Sequence, residues 1–197
     1  MATFASVVQE VYNLTNRSDL VNETATAVKA ATLKVHQSDF YPKDLYETGV
    51  SFTTAAYVQS LEYRSIAPNY RALKYIRKTD ADATDTGKFL EIVTPEKVVD
   101  DYKLNRTDIA YLAGSVIQIK SSTELQYIYF GCYVHPDVTS TGYNSWIADE
   151  HLYAIVFEAA GMVFKMIGFD EQAAMNKQLA GELLQEVRSS QLLAVGY

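Results

Sequence analysis

The sequence predicts an α+β fold: helices at the two ends of the chain form one helical domain, and an antiparallel, tyrosine-rich β-sheet or sandwich-like domain is inserted between them. Apolar residues recur at helical spacing near both ends, whereas the middle is rich in Tyr, Val, Ile and Thr, which favour strands. Of the 15 tyrosines, 12 fall between Tyr41 and Tyr143. A chain of 197 residues hides about 70% of its surface on folding, which is enough for a hydrophobic core.

Two helices are predicted before the β region. The first is short, because its apolar stripe gives way to the turn-forming residues 13–17. The stripe consists of Phe4, Val7, Val8 and Val11. The second helix is expected to start with Ser18 or Asp19 as N-cap and to run to about Gln37. Its apolar stripe is made of small residues, which suits close approach to another helix or to a sheet.

The middle of the chain is predicted to contain strands and loops. The strand-like runs are residues 47–54, 59–65 and 71–79. Residues 80–87 hold no apolar side chain larger than Ala, so they are expected to form a solvated loop. Thr94 and Pro95 are typical of a helix start, and this short helix is expected to end near Tyr102.

The clearest hairpin of the sequence is predicted in the second half of the β region. Its strands are residues 116–119 and residues 125–133, which have strong strand propensity. The polar residues 121–124 are expected to form the turn between them.

Two further helices are predicted at the end of the chain. Residues 146–167 are apolar on nearly all sides, so this helix is expected to be central. Its polar residues lie seven apart and are His151, Glu158 and Lys165. Gly168 is a natural C-cap and Asp170 a natural N-cap, so the last helix is expected over residues 171–189.

These elements predict a domain organisation with one insertion. Residues 1–45 and 144–190 form the helical domain, and residues 46–143 form the β-rich domain. Residues 191–197 form an apolar C-terminal tail without charged side chains, which is expected to dock against protein.

The composition excludes several classes of protein. A net charge of −7 and a pI near 4.9 weigh against a protein that wraps nucleic acid. The single cysteine, Cys132, cannot form an internal disulfide, which excludes a disulfide-stapled scaffold. No apolar stretch approaches the ~20 residues that span a bilayer, and the first nine residues do not form a leader. We therefore expect no membrane association.

No recognised catalytic, cofactor or metal motif occurs in the sequence. The three histidines have none of the spacings typical of metal ligands; they are His36, His135 and His151. The acidic pair Asp149 and Glu150 favours a helix start over a catalytic site, and Cys132 favours a buried apolar role over a nucleophile. A calcium loop at Asp80, Asp82 and Asp85 lacks the required glycine and closing glutamate. We expect no enzyme activity, no cofactor and no metal.

One cluster of cations allows two interpretations. Its members are Arg64, Arg71, Lys74, Arg77 and Lys78. Strand alternation places Arg71 and Arg77 on one face with Leu73 and Tyr75, and Lys74 and Lys78 on the other. The cations either guard a solvated strand edge or face a neighbouring subunit or passing DNA.

Several runs of the chain resemble the tail adaptor (head-to-tail connector) proteins of tailed bacteriophages, of the podovirus-like type. Residues 16–24 and 30–45 resemble the N-terminal helix pair of that family. The middle resembles it at residues 70–77, 94–96, 101–102, 111–114 and 119–122. Residues 146–168 and 170–172 resemble its C-terminal helix pair. These patterns cover most of the chain.

This resemblance implies a virion structural protein of the phage neck, made in the host cytoplasm. It implies a homo-oligomeric ring, twelvefold like the portal, that links the portal to the tail or nozzle proteins and helps retain packaged DNA. Subunit, portal or DNA-channel contacts are then expected at the cation cluster and in the C-terminal tail. The tail positions are Leu192, Leu193, Val195 and Tyr197.

Two other functions remain open at the level of sequence. One is a different tail or head-completion component of a phage. The other is a non-viral ligand-binding β domain with helical flanks, in which the tyrosines would converge on one concave pocket. Tyrosines spread over an outer face would favour an assembly role instead.

Overall fold

A computed structural model describes residues 1–79, 87–99 and 104–195, and the side chains up to Gln191. The fold class is α+β, as the sequence predicts. The chain divides into two compact units: unit 1 comprises Met1–Asp44 and His135–Tyr197, and unit 2 comprises Leu45–Val134.

Unit 1 contains the helices from both ends of the chain. They are α1 (Phe4–Thr15), α2 (Val21–Gln37), α4 (Trp146–Glu150), α5 (Leu152–Met166) and α6 (Asp170–Val195), with a 3-10 turn at Pro42–Asp44. The helices from the two ends pack together through one apolar core that includes Val11, Val35 and Ile155. Residues far apart in sequence therefore close a single core.

The first two helices begin and end close to the predicted positions, with two differences. Thr3 and Ser6 form a capping box, and α1 extends to Thr15 because the chain reverses only at Asn16, where φ is 52°. The predicted N-cap at Ser18 or Asp19 is wrong, because α2 starts at Val21. The carboxylate of Asp19 instead accepts two hydrogen bonds from the guanidinium of Arg17, each at 2.8 Å.

The central position predicted for the apolar helix near the C-terminus is confirmed for α5. Eight of its residues are buried, including Ile155, Glu158 and Val163. Gly161 allows close approach of α6, because a Cβ at this position would lie 3.3 Å from the carbonyl oxygen of Ala173. The predicted single helix is interrupted at His151, where the backbone leaves the helical region (φ −138°, ψ 50°).

The last helix is longer than the sequence predicts. The prediction that the last helix ends at Ser189 is wrong, since α6 continues to Val195 and Gln191 is buried. Residues 191–195 lack glycine and proline, so nothing in their backbone chemistry stops the helix. The segment expected as a separate tail is therefore helical through Val195.

Unit 2 is a six-stranded mixed sheet around one long central strand. Its strands are β1 (Leu45–Glu62), β2 (Tyr70–Thr79), β3 (Lys88–Phe89), β4 (Glu91–Ile92), β5 (Ile109–Ala113) and β6 (Val116–Val134), with helix α3 (Tyr63–Ile66) and a 3-10 turn at Pro95–Val98. Strand β6 pairs antiparallel with β1, β2 and β5. Strands β4 and β5 are parallel, so the expectation of a purely antiparallel sheet is wrong.

The two short strands make the sheet return on itself. Residues 88–89 pair with β2 at Arg77 and Lys78, whereas residues 91–92 pair with β5. Residues 88–92 therefore connect β2 with β5, and these two strands pair with different parts of β6. The inward side chains fill the barrel-like interior and include Ile76, Ile117, Ile128 and Phe130.

The predicted hairpin over residues 116–133 is wrong, because these residues form the single strand β6. Residues 121–124 contain neither glycine nor asparagine to support a tight turn. Their polar groups instead bind Asp108: the amide and hydroxyl of Ser122 donate to its carboxylate at 3.0 and 2.9 Å. The reversal of the chain lies earlier, at Gly114 (φ +65°), between β5 and β6.

Other strand predictions have mixed outcomes. Strand β2 covers the predicted residues 71–79. The predicted strands 47–54 and 59–65 are parts of β1, but residues 63–65 belong to helix α3, where the Tyr63 ring packs 4.2 Å from that of Tyr70. Thr94 is the N-cap of a 3-10 turn with Pro95 at its start. The predicted helix to about Tyr102 is wrong, because the 3-10 turn ends at Val98 and Val99 is extended and bridges to Asn105. The loop predicted at 80–87 lies outside the described residues except for Gly87.

Among the described residues, no helix is both long and apolar enough to cross a membrane.

Candidate functional site

The face of the unit 2 sheet opposite its core carries a group of tyrosines. Along β6, Ile128, Phe130 and Cys132 are fully buried, and the residues that alternate with them point the other way. We call this surface the tyrosine face. Its aromatic members are Tyr75, Tyr127 and Tyr129, which are half-buried, and Tyr133, which is buried.

Two glycines make room for the rings of the tyrosine face. A Cβ at Gly49 would lie 1.6 Å from the hydroxyl oxygen of Tyr127, and a Cβ at Gly131 would lie 2.5 Å from Cζ of Tyr75. Both rings therefore lie across the neighbouring strand at positions where only glycine leaves space. The phenol of Tyr75 donates a hydrogen bond to the carboxylate of Glu47. Burial, and secondarily this carboxylate, raise the pKa of Tyr75 to about 12.

Two cations of the predicted cluster lie on the tyrosine face. The guanidinium of Arg77 lies 4.4 Å from the centre of the Tyr129 ring, and Nζ of Lys74 lies 5.8 Å from that of Tyr133. At these distances the ring quadrupole attracts the cation. The face therefore presents positive charge over aromatic rings, and two of its residue types, tyrosine and arginine, are enriched in protein interfaces.

Strand alternation alone does not give the faces of β2, because the strand contains two register shifts. They lie between Tyr70 and Ala72 and between Leu73 and Tyr75. Leu73 packs on the core, whereas Tyr75 lies on the tyrosine face. The prediction that these two side chains share a face is therefore wrong. Arg71 and Lys74 are the inserted residues at the two shifts.

Lys78 is directed away from the tyrosine face, toward Asp108. Its ammonium donates to Asp108 at 2.7 Å, and Lys88 donates to the same carboxylate at 2.9 Å. Burial alone would raise the pKa of Asp108, but the hydrogen bonds from Lys78, from the amide of Ser122 and from Lys88 hold it well below its usual range. These contacts connect β2, β3 and β6 through Asp108. The ammonium of Lys78 is therefore engaged and is not available to a ligand.

The other predicted contact residues are Arg64, Arg71 and the positions of the C-terminal tail. Arg64 is exposed on α3, and Arg71 is half-buried. The side chains of Leu192, Leu193 and Val195 lie outside the described part of the chain, as does Tyr197 entirely.

Unit 1 contains a buried arrangement of an aspartate, a histidine and a serine. Nδ1 of His36 lies 2.8 Å from Asp44 Oδ1, and Nε2 lies 2.9 Å from Ser145 Oγ. The indole of Trp146 donates to the same Asp44 oxygen at 2.7 Å. These distances match those of a catalytic triad.

The role of Ser145 is nevertheless that of a helix cap. Its hydroxyl accepts a hydrogen bond from the amide of Ala148 at 3.1 Å, which caps α4. Ser145 is only 4% exposed, and His36 only 1%. A substrate carbonyl cannot reach the serine oxygen in this conformation, so the arrangement acts as a structural link.

A cavity of about 540 Å³ lies between α2, α5 and α6 in unit 1. Glu158, with 7% of its side chain exposed, accepts a hydrogen bond from Lys34, whose side chain is half exposed. The lining also contains Lys165, Lys177 and the methionines Met162 and Met166, but no tyrosine. The tyrosines of unit 2 therefore do not converge on this cavity.

The other candidate residues have ordinary surroundings. Cys132 is fully buried, and burial raises the pKa of its thiol to about 11, so at neutral pH it is protonated. Asp149 and Glu150 lie on α4 and are exposed. Within the described part of the chain, no group of three or more metal-ligating side chains is placed to hold an ion.

No family model matches the chain, and no curated protein sequence matches it.

The residues that sequence analysis missed are those joined by long-range contacts. Asp108, with φ 59°, is a bend residue in a short polar run of the sequence. Lys78 and Ser122 are distant from it in sequence and contact it only in the folded chain. A sequence signal existed for the glycines, because an isolated glycine in a strand often marks close approach. Gly49 and Gly131 both fit that rule.

Proposed function

We propose that this protein is a virion structural protein, a head-to-tail adaptor that forms a ring between the portal and the tail machinery and helps retain packaged DNA. The resemblance described from the sequence supplies the class of protein. The observation that carries the proposal to particular residues is the tyrosine face, where Arg77 and Lys74 lie over aromatic rings on the surface of an inserted β unit.

The arrangement of the helices supports the same proposal. The family that the chain resembles has an N-terminal and a C-terminal helix pair, and here the helices from both ends share one core. We propose that unit 1 supplies the contacts to the portal and to neighbouring copies, and that the tyrosine face contacts the tail or nozzle protein.

The distribution of tyrosines favours an assembly surface over a ligand pocket. A pocket would require the rings to converge on one concavity. Instead Tyr127 and Tyr129 lie edge to face on the sheet surface with 5.4 Å between ring centres, and Tyr57 is exposed on β1. Tyrosine suits such a surface because its ring packs while its hydroxyl stays hydrated.

The first experiment tests the partner. A portal protein from the same genome is purified and mixed with the full chain, and the mixture is analysed by native mass measurement and by electron-microscope image classes. We expect a ring of about twelve copies on the portal. Absence of portal and capsid genes from the neighbourhood, or failure to bind a portal from the same genome, overturns the proposal.

The second experiment tests the division of contacts. Arg77→Ala removes the cation over Tyr129, and Arg106→Ala is the matched control, because it removes one positive charge elsewhere in unit 2, where Arg106 pairs with Glu91. We expect Arg77→Ala to weaken capture of the tail protein while portal binding is unchanged. Equal capture by both variants contradicts the role of the tyrosine face.

The third experiment tests the C-terminal segment. Deletion of residues 192–197 keeps Gln191, which is buried in unit 1. We expect the truncated chain to fold and to bind the portal more weakly. If the portal complex is unaffected by this deletion, the segment has no docking role.

A further inference from the structure

The cavity of unit 1 combines apolar side chains with three lysines. Its volume of about 540 Å³ lies in the range of roughly 300–1,000 Å³ that small-molecule sites occupy. The apolar part of its lining consists of Gly161, Met162, Met166, Ala173 and Ala174. Methionine side chains are unbranched and adapt to the shape of what they contact. This lining therefore suits a flexible aliphatic group.

The charged lining residues lie toward the two ends of the α5–α6 pair. Lys165 forms an ion pair with Asp170 beside residues 167–169, which connect the two helices. Farther from this connection the helices approach closely at Gly161, where a Cβ would lie 3.6 Å from the amide nitrogen of Lys177. The alanines of the lining lie between these positions along α6. The cavity is therefore a cleft with an apolar middle and cations at both ends.

The lysines of the cavity belong to a unit that is otherwise acidic. Unit 1 has 7 lysine and arginine side chains against 13 aspartates and glutamates, which leaves a net charge of −6. Three of the seven cations line this cavity, together with only two carboxylates, so the lining has a net charge of +1. The cleft is thus opposite in sign to the unit that contains it, and it favours an anion.

Lys177 is the cation that is available to a ligand. It is exposed, and it has no hydrogen bond or ion pair with any described residue. The carboxylate of Glu158 is almost fully buried and bonds Lys34, so its charge is neutralised within the lining. An ammonium group has three protons, and one of those of Lys34 binds Glu158. Lys34 can therefore donate another to a ligand beside Lys177.

We propose that the cleft between α2, α5 and α6 binds an amphipathic carboxylate, with its head group at Lys177 and Lys34 and its aliphatic chain along Met162 and Met166. Hydrogen bonds between an ammonium and a carboxylate are stronger than neutral ones, and burial of the chain removes apolar surface from water. A medium-chain fatty acid anion has this chemistry. The inference is independent of the proposed function.

The methionine methyl groups report binding in the full-length protein. The chain has four methionines, of which Met162 and Met166 line the cavity, whereas Met1 and Met175 do not. We expect titration with decanoate to shift the NMR signals of the Met162 and Met166 methyl groups until they saturate, and to leave the other two unchanged. Decyltrimethylammonium has the same chain with a positive head group and should leave all four signals unchanged.

Lys177→Gln tests the binding of the head group. Lys29→Gln is the matched control, because Lys29 is another exposed lysine of unit 1 without a described ion pair, and it lies over the Phe4 ring outside the cavity. We expect Lys177→Gln to raise the dissociation constant for decanoate about three- to tenfold and Lys29→Gln to leave it unchanged. Equal dissociation constants for the two variants contradict the placement of the carboxylate.

Ala174→Phe tests the position of the aliphatic chain. Ala174 is exposed and lines the cavity, so a phenyl ring there takes the space of the ligand without entering the core of unit 1. Met175→Phe adds the same ring at the next residue, which is exposed and outside the cavity. We expect Ala174→Phe to abolish the shifts of Met162 and Met166 and Met175→Phe to preserve them. The reverse result overturns the site.

Three further outcomes overturn the proposal. They are an equal response to decyltrimethylammonium, shifts of Met1 and Met175 as large as those of the cavity methionines, and no response to decanoate up to its solubility limit. Dilution of the ligand-free protein tests another occupant of the cleft. If the Met162 and Met166 signals shift on dilution while the mass in solution falls from that of a dimer, a second copy of the chain covers the cleft, and the ligand site is wrong.

Discussion

Gly131 lies directly beneath the ring of Tyr75: a Cβ at this position would be 2.5 Å from Cζ and 2.7 Å from Cε1 of that ring. The contact joins the central strand β6 to β2 on the tyrosine face. It also holds the phenol of Tyr75 at the carboxylate of Glu47 on β1. Because Gly131 has no side chain, the Tyr75 ring of β2 can pack on β6 and place its phenol at Glu47 of β1.

We expect Gly131→Ala to destabilise unit 2 by about 1–3 kcal/mol, because the added methyl group forces the Tyr75 ring out of its place. The measurement is urea unfolding followed by circular dichroism. Gly181→Ala is the control, because no atom lies within 4 Å of the corresponding Cβ and alanine favours the helix.

A double substitution separates this contact from a general effect of the new methyl group. In Tyr75→Ala the space above Gly131 is empty, so adding Gly131→Ala should cost much less than in the parent chain. Equal costs in the two backgrounds would show that the ring of Tyr75 is not what Gly131 accommodates.

We expect Asp108→Asn to remove an acid-dependent part of the stability of unit 2. The folded-state pKa of Asp108 is lowered, so its contribution is complete above the unfolded-state value of about 3.9 and is lost as the pH falls below it. Asparagine tolerates the positive φ of 59°, so the substitution changes charge without backbone strain. The loss at neutral pH should be about 2 kcal/mol.

The measurement is the urea midpoint of the parent and of Asp108→Asn at a series of pH values. The two curves should converge as the pH falls from about 4 to 2, because the parent loses the ionised carboxylate there. A constant separation over this range contradicts the assignment. Asp137→Asn is a useful comparison, because Asp137 also has a lowered pKa but no described ion pair.

Local signals in the sequence account for much of the fold. The apolar stripe of α2 and its end at Gln37, and the span of β2, follow from side-chain periodicity and propensity. The burial of α5 follows from an apolar surface on nearly all sides. These features depend on neighbours in the chain, so a single sequence contains them.

Several of the errors in the β region and at His36 occur where distant residues decide the local structure. Residues 121–124 are polar, and the sequence predicts a turn there, but Asp108 binds Ser122 and the segment stays extended in β6. The two register shifts in β2 place Leu73 against the core, and no residue type in the strand predicts these shifts. The hydrogen bonds of His36 join it to Asp44 and Ser145, which lie 8 and 109 positions away in sequence, so no motif spacing could reveal them.

We expect Lys34→Met to destabilise unit 1 by about 1–2 kcal/mol. The carboxylate of Glu158 is almost fully buried and would lose its partner, while water at the half-exposed Lys34 position limits the cost. Lys165→Met is the matched control on α5, because its pair with Asp170 is exposed on both sides, and we expect an effect below about 0.5 kcal/mol.

The measurement is urea unfolding followed by the emission of Trp146, which lies in unit 1. Adding Glu158→Gln to Lys34→Met removes the unpaired charge and should restore part of the lost stability. If the double substitution is no more stable than Lys34→Met alone, the cost does not come from a buried charge.

Cys132 should report the opening of the unit 2 core. Its side chain is fully buried, and burial raises its thiol pKa to about 11, whereas an unfolded thiol titrates near 8.5. Because the folded pKa is raised, this group favours the folded state less as the pH rises above about 8.5. In native protein at about pH 8 we expect a thiol reagent to react slowly, at a rate set by opening of the sheet.

Comparison with Gly131→Ala makes this measurement specific. Gly131 precedes Cys132 on β6, so displacement of the Tyr75 ring should raise the reaction rate of the thiol at least several-fold. Lys34→Met changes unit 1 and should leave that rate close to the parent value, because its loss of stability lies in the other core. A thiol that reacts in the native parent as fast as in urea would contradict its burial in the sheet interior.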